Sequence, residues 1–291
     1  MATTIDAPAK LTVSLRVTGV RPDGYHELEA EMVSLDLADT LVFAEDGDGP
    51  VALQVVPGSA AGGGDPSYRR WAADVPTGED NLVTRALAAV GRSASVRLVK
   101  RIPPGAGLGG GSADAAAVLR WAGCADGSLA ASLGADVPFC LMGGRALVTG
   151  AGETVVPLPW EERTYTLLLP PFGMDTAAVY RTWDDLCLRH LLAPSGTTSN
   201  DLEAAAVAAD PRLIHWREAL ADATGARPRL AGSGSTWFVE GGLADVGLGG
   251  RRSLTVGRDE ATLVEARTTR GFGCQPDGHP RDGTRSATAS P

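Results

Sequence analysis

Lysine is almost missing from this chain. Of 26 basic residues only Lys10 and Lys100 are lysine, the rest being arginine. Where so strong a bias spares an ammonium, a compact point charge with rotatable donors suits a task that a planar guanidinium does poorly, although Lys100, beside Arg101, reads equally as an ordinary surface lysine. Cysteine is also scarce: positions 124, 140, 187 and 274 form no Cys-x-x-Cys pair and have no neighbouring histidines, which argues against a zinc framework. They read as reduced, mostly buried thiols of a cytoplasmic protein. No apolar run is long enough to cross a bilayer, and Met1 to Ala9 has neither a basic start nor an apolar stretch, so neither a membrane span nor a leader is expected. Positive charge is in deficit. A net charge of -9 leaves no basic face for nucleic acid or a membrane surface, so any phosphate site must be positive locally.

What is abundant is glycine, concentrated where it matters. Pro103-Pro104-Gly105-Ala106-Gly107-Leu108-Gly109-Gly110-Gly111-Ser112-Ala113-Asp114 places five glycines between positions 105 and 111. Such a run lets successive backbone N-H groups face one bound anion. An alanine-rich helix should follow, with Ser112 as N-cap and Gly123 as its stop, so that its positive dipole end points back at the loop. A Walker loop is excluded, because no Lys-Ser or Lys-Thr pair closes it. Gly105, Gly107 and Gly110 meet the Gly-x-Gly-x-x-Gly expression. Asp126, the acid nearest the offset a dinucleotide fold requires, lies in a turn instead of ending a strand. A plain linker would not join a strand-like Ser95 to Val99 to a capped helix.

Around the loop, the first half alternates strand and helix signals. Leu11 to Val17 and Leu35 to Phe43 are patterned as strands, with a turn at Pro22-Asp23-Gly24. Residues 57 to 80 read as a long surface loop, and Leu82 to Val90 as a helix capped by Asp80 or Asn81. A short helix begins at Asp136, and Arg145 to Thr149 with Glu153 to Leu158 form a hairpin across Gly150-Ala151-Gly152. The second half mixes helical stretches, Ala177 to Leu192 and Asp201 to Ala209, with strands at Tyr165 to Leu169 and Ser235 to Val239. From Thr268 the polar, Gly/Pro/Arg-rich sequence predicts a disordered tail. With 291 residues, 44% of them hydrophobic, two moderate cores are the natural arrangement.

The glycine loop resembles the second motif of the GHMP kinases, which phosphorylate galactose, homoserine, mevalonate and related alcohols. The resemblance runs in the family's order through Ala7-Pro8-Ala9-Lys10-Leu11, Arg21-Pro22-Asp23-Gly24-Tyr25-His26, Asp80-Asn81-Leu82-Val83, Leu133 to Phe139, Ser199-Asn200-Asp201-Leu202-Glu203 and Ala231-Gly232-Ser233-Gly234-Ser235. The Asp-Gly-Tyr-His run is similar to that of the subfamily acting on 4-diphosphocytidyl-2-C-methyl-D-erythritol in the non-mevalonate isoprenoid pathway. The resemblance implies an α+β, two-domain fold: an N-terminal ribosomal protein S5 domain 2-like unit over 1–157 and a C-terminal ferredoxin-like α/β sandwich over 158–267, followed by the tail 268–291. It also implies ATP with Mg2+, a small-molecule substrate, no nucleic-acid or membrane partner, and a monomer or homodimer. A GHMP kinase for another small alcohol, or a non-catalytic binding protein of the same fold, are the alternatives. A substrate panel separates the first, and retention of Lys10, Asp136 and the whole glycine loop argues against the second.

By the same resemblance Asp136 faces the substrate hydroxyl, although alone it reads more readily as a helix cap, and Lys10 pairs with it and keeps it ionised. The nucleotide falls to Asn81, Lys100 and the loop residues Pro103, Pro104, Gly105, Ala106, Gly107, Leu108, Gly109, Gly110, Gly111, Ser112 and Ala113, with Ser112 as a phosphate or metal contact. The acceptor substrate falls to Thr12, Tyr25, His26, Tyr180, Gly232 and Ser233, together with Asp136. Tyr25 and Tyr180 would sandwich cytosine while His26 reads its edge; read on its own helix, Tyr180 is equally a core aromatic. Thr12 departs from the subfamily, which has asparagine there: a hydroxyl keeps one donor and acceptor but loses the amide's reach.

Overall fold

The computed structural model describes residues 2–44, 52–58, 66–192 and 199–272. Two long strands dominate its start. β1 (Ala2–Val20) and β2 (His26–Ala44) pair antiparallel around the Pro22-Asp23-Gly24 turn, where Gly24 N-H donates to the Arg21 carbonyl. β3 (Leu53–Pro57), α1 (Pro66–Ala73), α2 (Leu82–Ala89), β4 (Ser95–Lys100), α3 (Gly110–Trp121), α4 (Gly127–Leu133), α5 (Val137–Met142), β5 (Arg145–Gly150) and β6 (Thr154–Pro157) follow. The first sheet has the order β3-β4-β2-β5-β6, with β1 along β2. β2 serves two partners in turn: Thr40 to Ala44 pair with β4, and Leu28 to Val33 with β5.

The second half comprises β7 (Thr164–Leu169), α6 (Thr176–Leu188), α7 (Glu203–Ala209), α8 (Arg212–Thr224), β8 (Arg229–Leu230), β9 (Trp237–Glu240), β10 (Ser253–Val256) and β11 (Asp259–Arg267). Its sheet is antiparallel throughout, in the order β10-β11-β7-β9-β8. Two mixed α/β layers of this kind are the α+β arrangement expected. The expected strands and helices overlap observed elements, although α6 ends at Leu188 instead of Leu192 and β9 starts at Trp237 instead of Ser235, and β5 and β6 form the hairpin across Gly150-Ala151-Gly152.

β1 changes faces twice. Register shifts interrupt its pairing with β2 between Pro8 and Lys10, between Thr12 and Ser14 and again between Val17 and Gly19. Such irregularities re-aim side chains relative to the sheet. Ala7, Leu15 and Val17 accordingly join the larger core, whereas Ala9, Leu11 and Val13, also odd-numbered, join the apolar layer containing Tyr165, Leu167 and Leu169 of β7 and Phe238 of β9. The stretch between the bulges thus turns Leu11 toward the second sheet and presents Lys10 and Thr12 on its other side.

Three expectations need correction. Within 57–80, Pro66–Ala73 is helical, and Tyr68 and Trp71 are buried in the layer between the sheets. An i, i+3 aromatic pair suffices to dock one short helix, each buried side chain contributing about 1.5–3 kcal/mol, despite the Gly- and Pro-rich flanks. The helix after the glycine loop starts at Gly110, and its N-cap is Gly109 at φ 66°, not Ser112. The tail does not leave the protein at Thr268: Thr268 bridges to Leu35, Gly271 to Gly143, and the Arg120 guanidinium lies 3.8 Å over the Phe272 ring. The remainder of that tail, with Cys274, lies outside the described residues, as does part of the 57–80 segment. Cys140 is buried, and Cys124 and Cys187 are partly so, all three as free thiols.

Candidate active site

A cleft of about 740 Å³ opens between the glycine loop, β1, the start of α6 and the 231–235 turn. Its floor is the Lys10 side chain. The bulged strand brings Lys10 up beneath the loop, where its N-H donates to the Leu108 carbonyl at 3.0 Å. Lys10 Nζ lies 3.3 Å from Asp136 Oδ2 and donates to Thr12 Oγ1 at 3.1 Å. Lys10 is buried, whereas the Asp136 side chain is 31% exposed, so the carboxylate faces the cleft while the ammonium supports it from behind. Asp136 precedes α5 but makes no side-chain capping bond, which frees its oxygens for a partner in the cleft.

Above this pair the glycine loop is held from the other side. The Gly105 carbonyl accepts from Met174 N-H and Ser235 N-H, and the Ala106 carbonyl from Thr236 N-H. Gly107, at φ 76°, passes the second unit so closely that a β-carbon would lie 2.1 Å from the Ala231 carbonyl oxygen. Gly109 is left-handed too, and a β-carbon there would meet the Lys10 stem at 2.7 Å. With the loop fixed in this way, Gly110, Gly111 and Ser112 start α3 facing the cleft. The first N-H groups of a helix have no intrahelical partners and lie at its positive end, an arrangement suited to an anion.

At the far end, rings gather. The His26 ring lies 4.7 Å from that of Tyr180 and edge-on to Trp183 at 5.3 Å, and its Nε2 is 2.7 Å from Asp184 Oδ1. Tyr180 lines the cleft; burial, and then the Asp136 charge, push its phenol above the ordinary value and keep it neutral. Tyr25 is 65% exposed at the rim, beyond the turn that its N-H helps close by donating to Asp23 Oδ1. Gly232 and Ser233 line the opposite wall, Ser233 Oγ sharing a hydrogen bond with Thr176 Oγ1 at 2.9 Å.

The structure brings together Lys10, Thr12, Tyr25, His26, Asp136, Tyr180, Gly232, Ser233 and the loop from Pro103 through Gly107 and from Gly109 through Ser112. Asn81, Lys100, Leu108 and Ala113 are not on the cleft wall. Asn81 caps α2, its Oδ1 accepting from Val83 N-H at 2.8 Å and its Nδ2 donating to the Pro76 carbonyl at 2.6 Å. Leu108 and Ala113 point into the core. Lys100 departs furthest from expectation: Nζ is sealed between Asp39 Oδ2 at 2.5 Å and Asp114 Oδ2 at 2.9 Å. Burial disfavours its charge, but Asp114 and Asp39 outweigh burial and hold the ammonium firmly protonated.

Sequence reasoning assigned no role to Asp184, Asp39, Asp114 or Asn200. Asp184 stands four residues after Tyr180, hence on the same face of α6, a spacing that could have paired it with the ring cluster. Asn200 was noted only within its motif; its Nδ2 donates to the Leu230 and Gly232 carbonyls at 2.9 and 2.7 Å and shapes the wall opposite Lys10. Among the described residues no group of three or more His, Cys, Asp or Glu side chains could by itself hold a metal ion, and no helix is long and apolar enough to cross a membrane.

Residues 81–144 match the model of the GHMP kinases N terminal domain. The chain is 38% identical over 271 residues to 4-diphosphocytidyl-2-C-methyl-D-erythritol kinase of Pelotomaculum thermopropionicum, covering 82% of this chain and 88% of that one. It is 37% identical over 246 residues to the protein of the same name in Paracoccus denitrificans, covering 80% and 84%. A crystal structure of 4-(cytidine 5'-diphospho)-2C-methyl-D-erythritol kinase superposes with a TM-score of 0.62 at 29% identity, covering 92% of this chain and all of that one.

Proposed function

Since this chain belongs to the 4-diphosphocytidyl-2-C-methyl-D-erythritol kinases of the GHMP kinase family, we propose that it phosphorylates the 2-hydroxyl of 4-diphosphocytidyl-2-C-methyl-D-erythritol. ATP is the phosphoryl donor, and the products are the 2-phosphate and ADP. One observation carries the reading: the Lys10–Asp136 pair stands in one cleft with the start of α3 on one side and the His26–Tyr180 rings on the other.

The polyphosphate lies along the glycine loop with its terminal group at the N-H groups of Gly110, Gly111 and Ser112. Close approach is possible because side chains are absent there. Asp136 accepts the hydrogen bond of the acceptor hydroxyl and aims its oxygen in line. In a largely dissociative transfer this positioning outweighs early proton removal, and the carboxylate takes the proton as the new bond forms. Lys10, held by Thr12, fixes the direction of that carboxylate and offsets negative charge as it develops. Magnesium fits this wall, since it keeps several waters and favours phosphate oxygens, leaving Ser112 Oγ and Asp136 as the oxygens the chain could lend. When bound it neutralises charge on the phosphates.

The ring end suits a pyrimidine. Tyr180 and Tyr25 offer faces, and His26, oriented by Asp184, offers a hydrogen-bonding edge. A small alcohol without a base would leave this end of the cleft unfilled, which disfavours the other GHMP substrates. The test is ADP release from magnesium-ATP by the purified protein with and without the cytidine substrate, beside homoserine and mevalonate. Release that depends on the cytidine substrate is expected; equal release with the other alcohols, or none with any, would overturn the reading.

A further inference from the structure

The second of the two lysines has no place in the chemistry above, yet it is among the most deeply bonded charges in the chain. Lys100 ends β4 and is 2% exposed, Asp39 belongs to β2 and is 0% exposed, and Asp114 lies in α3 and is 3% exposed. Lys100 Nζ binds one oxygen of each carboxylate. The other Asp39 oxygen accepts from the N-H groups of Arg101 and Ile102, the first two residues after β4. The other Asp114 oxygen is buried without a hydrogen-bond partner.

These contacts bracket the glycine loop. Asp39 and Lys100 fix the chain where it leaves β4, and Asp114 fixes it where α3 has begun. Between them, the backbone of Gly110 rests on the ammonium: a β-carbon there would lie 2.9 Å from Lys100 Nζ. Gly110 also lines the cleft. Lys100 Nζ and the proposed phosphate seat are therefore separated by one residue's backbone. We infer that Asp39, Lys100 and Asp114 form a buried charge buckle that positions the glycine loop for the nucleotide without touching it.

The inference rests on the glycine loop being the ATP site, so binding is measured separately from turnover. Magnesium-ATP is titrated calorimetrically into wild type and variants without the alcohol. Asp114→Asn keeps the shape but gives up one of the two charged bonds to Lys100. It should weaken ATP binding about threefold to tenfold, with an unchanged KM for the alcohol. Lys100→Arg, which keeps the charge but must push its fork against Gly110, should raise the KM for ATP at least tenfold, with the alcohol's KM again unmoved. No ATP binding by wild type would defeat the kinase reading itself. Wild type that binds ATP, beside a folded Asp114→Asn variant with the same affinity, would overturn the buckle alone. So would a folded Lys100→Arg variant with wild-type KM for ATP.

Discussion

Gly107 lies in the loop between β4 and α3 and Ala231 just after β8 of the other sheet, yet at Gly107 there is no room for a methyl group beneath the Ala231 carbonyl. The glycine loop is therefore not a free strap over the nucleotide. Its conformation is set jointly by the strand it leaves and the unit it abuts. Gly107→Ala should destabilise the protein by about 2 kcal/mol through positive φ and collision, and should raise the KM for ATP more than that for the alcohol. Thermal melts and the two Michaelis constants check this, and a stable variant with normal ATP affinity would contradict it.

Asp136→Asn removes the carboxylate facing the acceptor while leaving its Lys10 contact sterically intact. Turnover should fall by about 10²- to 10⁴-fold, with ATP binding nearly unchanged. Lys10→Arg should lose as much, because the longer guanidinium must share the space beside Gly109 and Thr12. Near-normal kcat in either variant would remove that residue from the mechanism.

The aromatic end predicts a split between two tyrosines. Tyr25→Ala, at the exposed rim, should raise the KM for the cytidine substrate about tenfold to a hundredfold without changing the melting temperature. Tyr180→Ala should raise that KM comparably and also lower stability, since Tyr180 both lines the cleft and packs on His26. Asp184→Asn, which leaves the rings in place, should raise only the KM for the cytidine substrate. Identical ATP and cytidine responses in all three variants would place these rings in the core and not in recognition.

Asp114 also gives stability a pH signature. Its pKa rises from 3.8 to about 7 in the fold, so between about pH 4 and 7 the native state holds a proton that the unfolded chain has released. Its contribution is complete below the lower value and is lost as pH climbs through the upper one. Relative to Asp114→Asn, wild type should lose about 5 to 10 °C of melting temperature between pH 5 and 8. Parallel melting curves for the two proteins would show that this proton is not taken up.

How much of this was legible follows from how local each signal is. Glycine spacing, the alanine-rich helix and the Gly150 hairpin are written in consecutive residues, and the helix and the hairpin formed where expected. The exception at the helix start is instructive: Ser112 looked like the cap because serine caps well, but Gly109 could turn left-handed and let α3 begin at Gly110. Lys100 shows the opposite failure. Its rarity drew notice to it, but its partners come from β2 and α3, and no sequence window contains both. The bulges that re-aim Lys10 and Thr12 are equally silent, because an extra residue in a strand alters pairing and not composition. Thr12, read as a lost amide, turned out to hold the Lys10 ammonium.

The chain crosses between its two units at a single seam. Thr268 N-H donates to the Arg163 carbonyl while Thr268 Oγ1 accepts from Arg163 N-H and donates to the Glu161 carbonyl, so the outgoing and returning strands are stitched side by side. On the cleft's other flank the units meet through Leu15, whose backbone pairs with Ser199 and Asp201, and through the Asp201 carboxylate accepting from Val17 N-H. Leu15 with Asp201 is the clasp of a book whose facing pages carry Lys10 and Gly232, bound along its spine by the paired strands. The width of the cleft is thus set from both flanks and not by its lining residues alone.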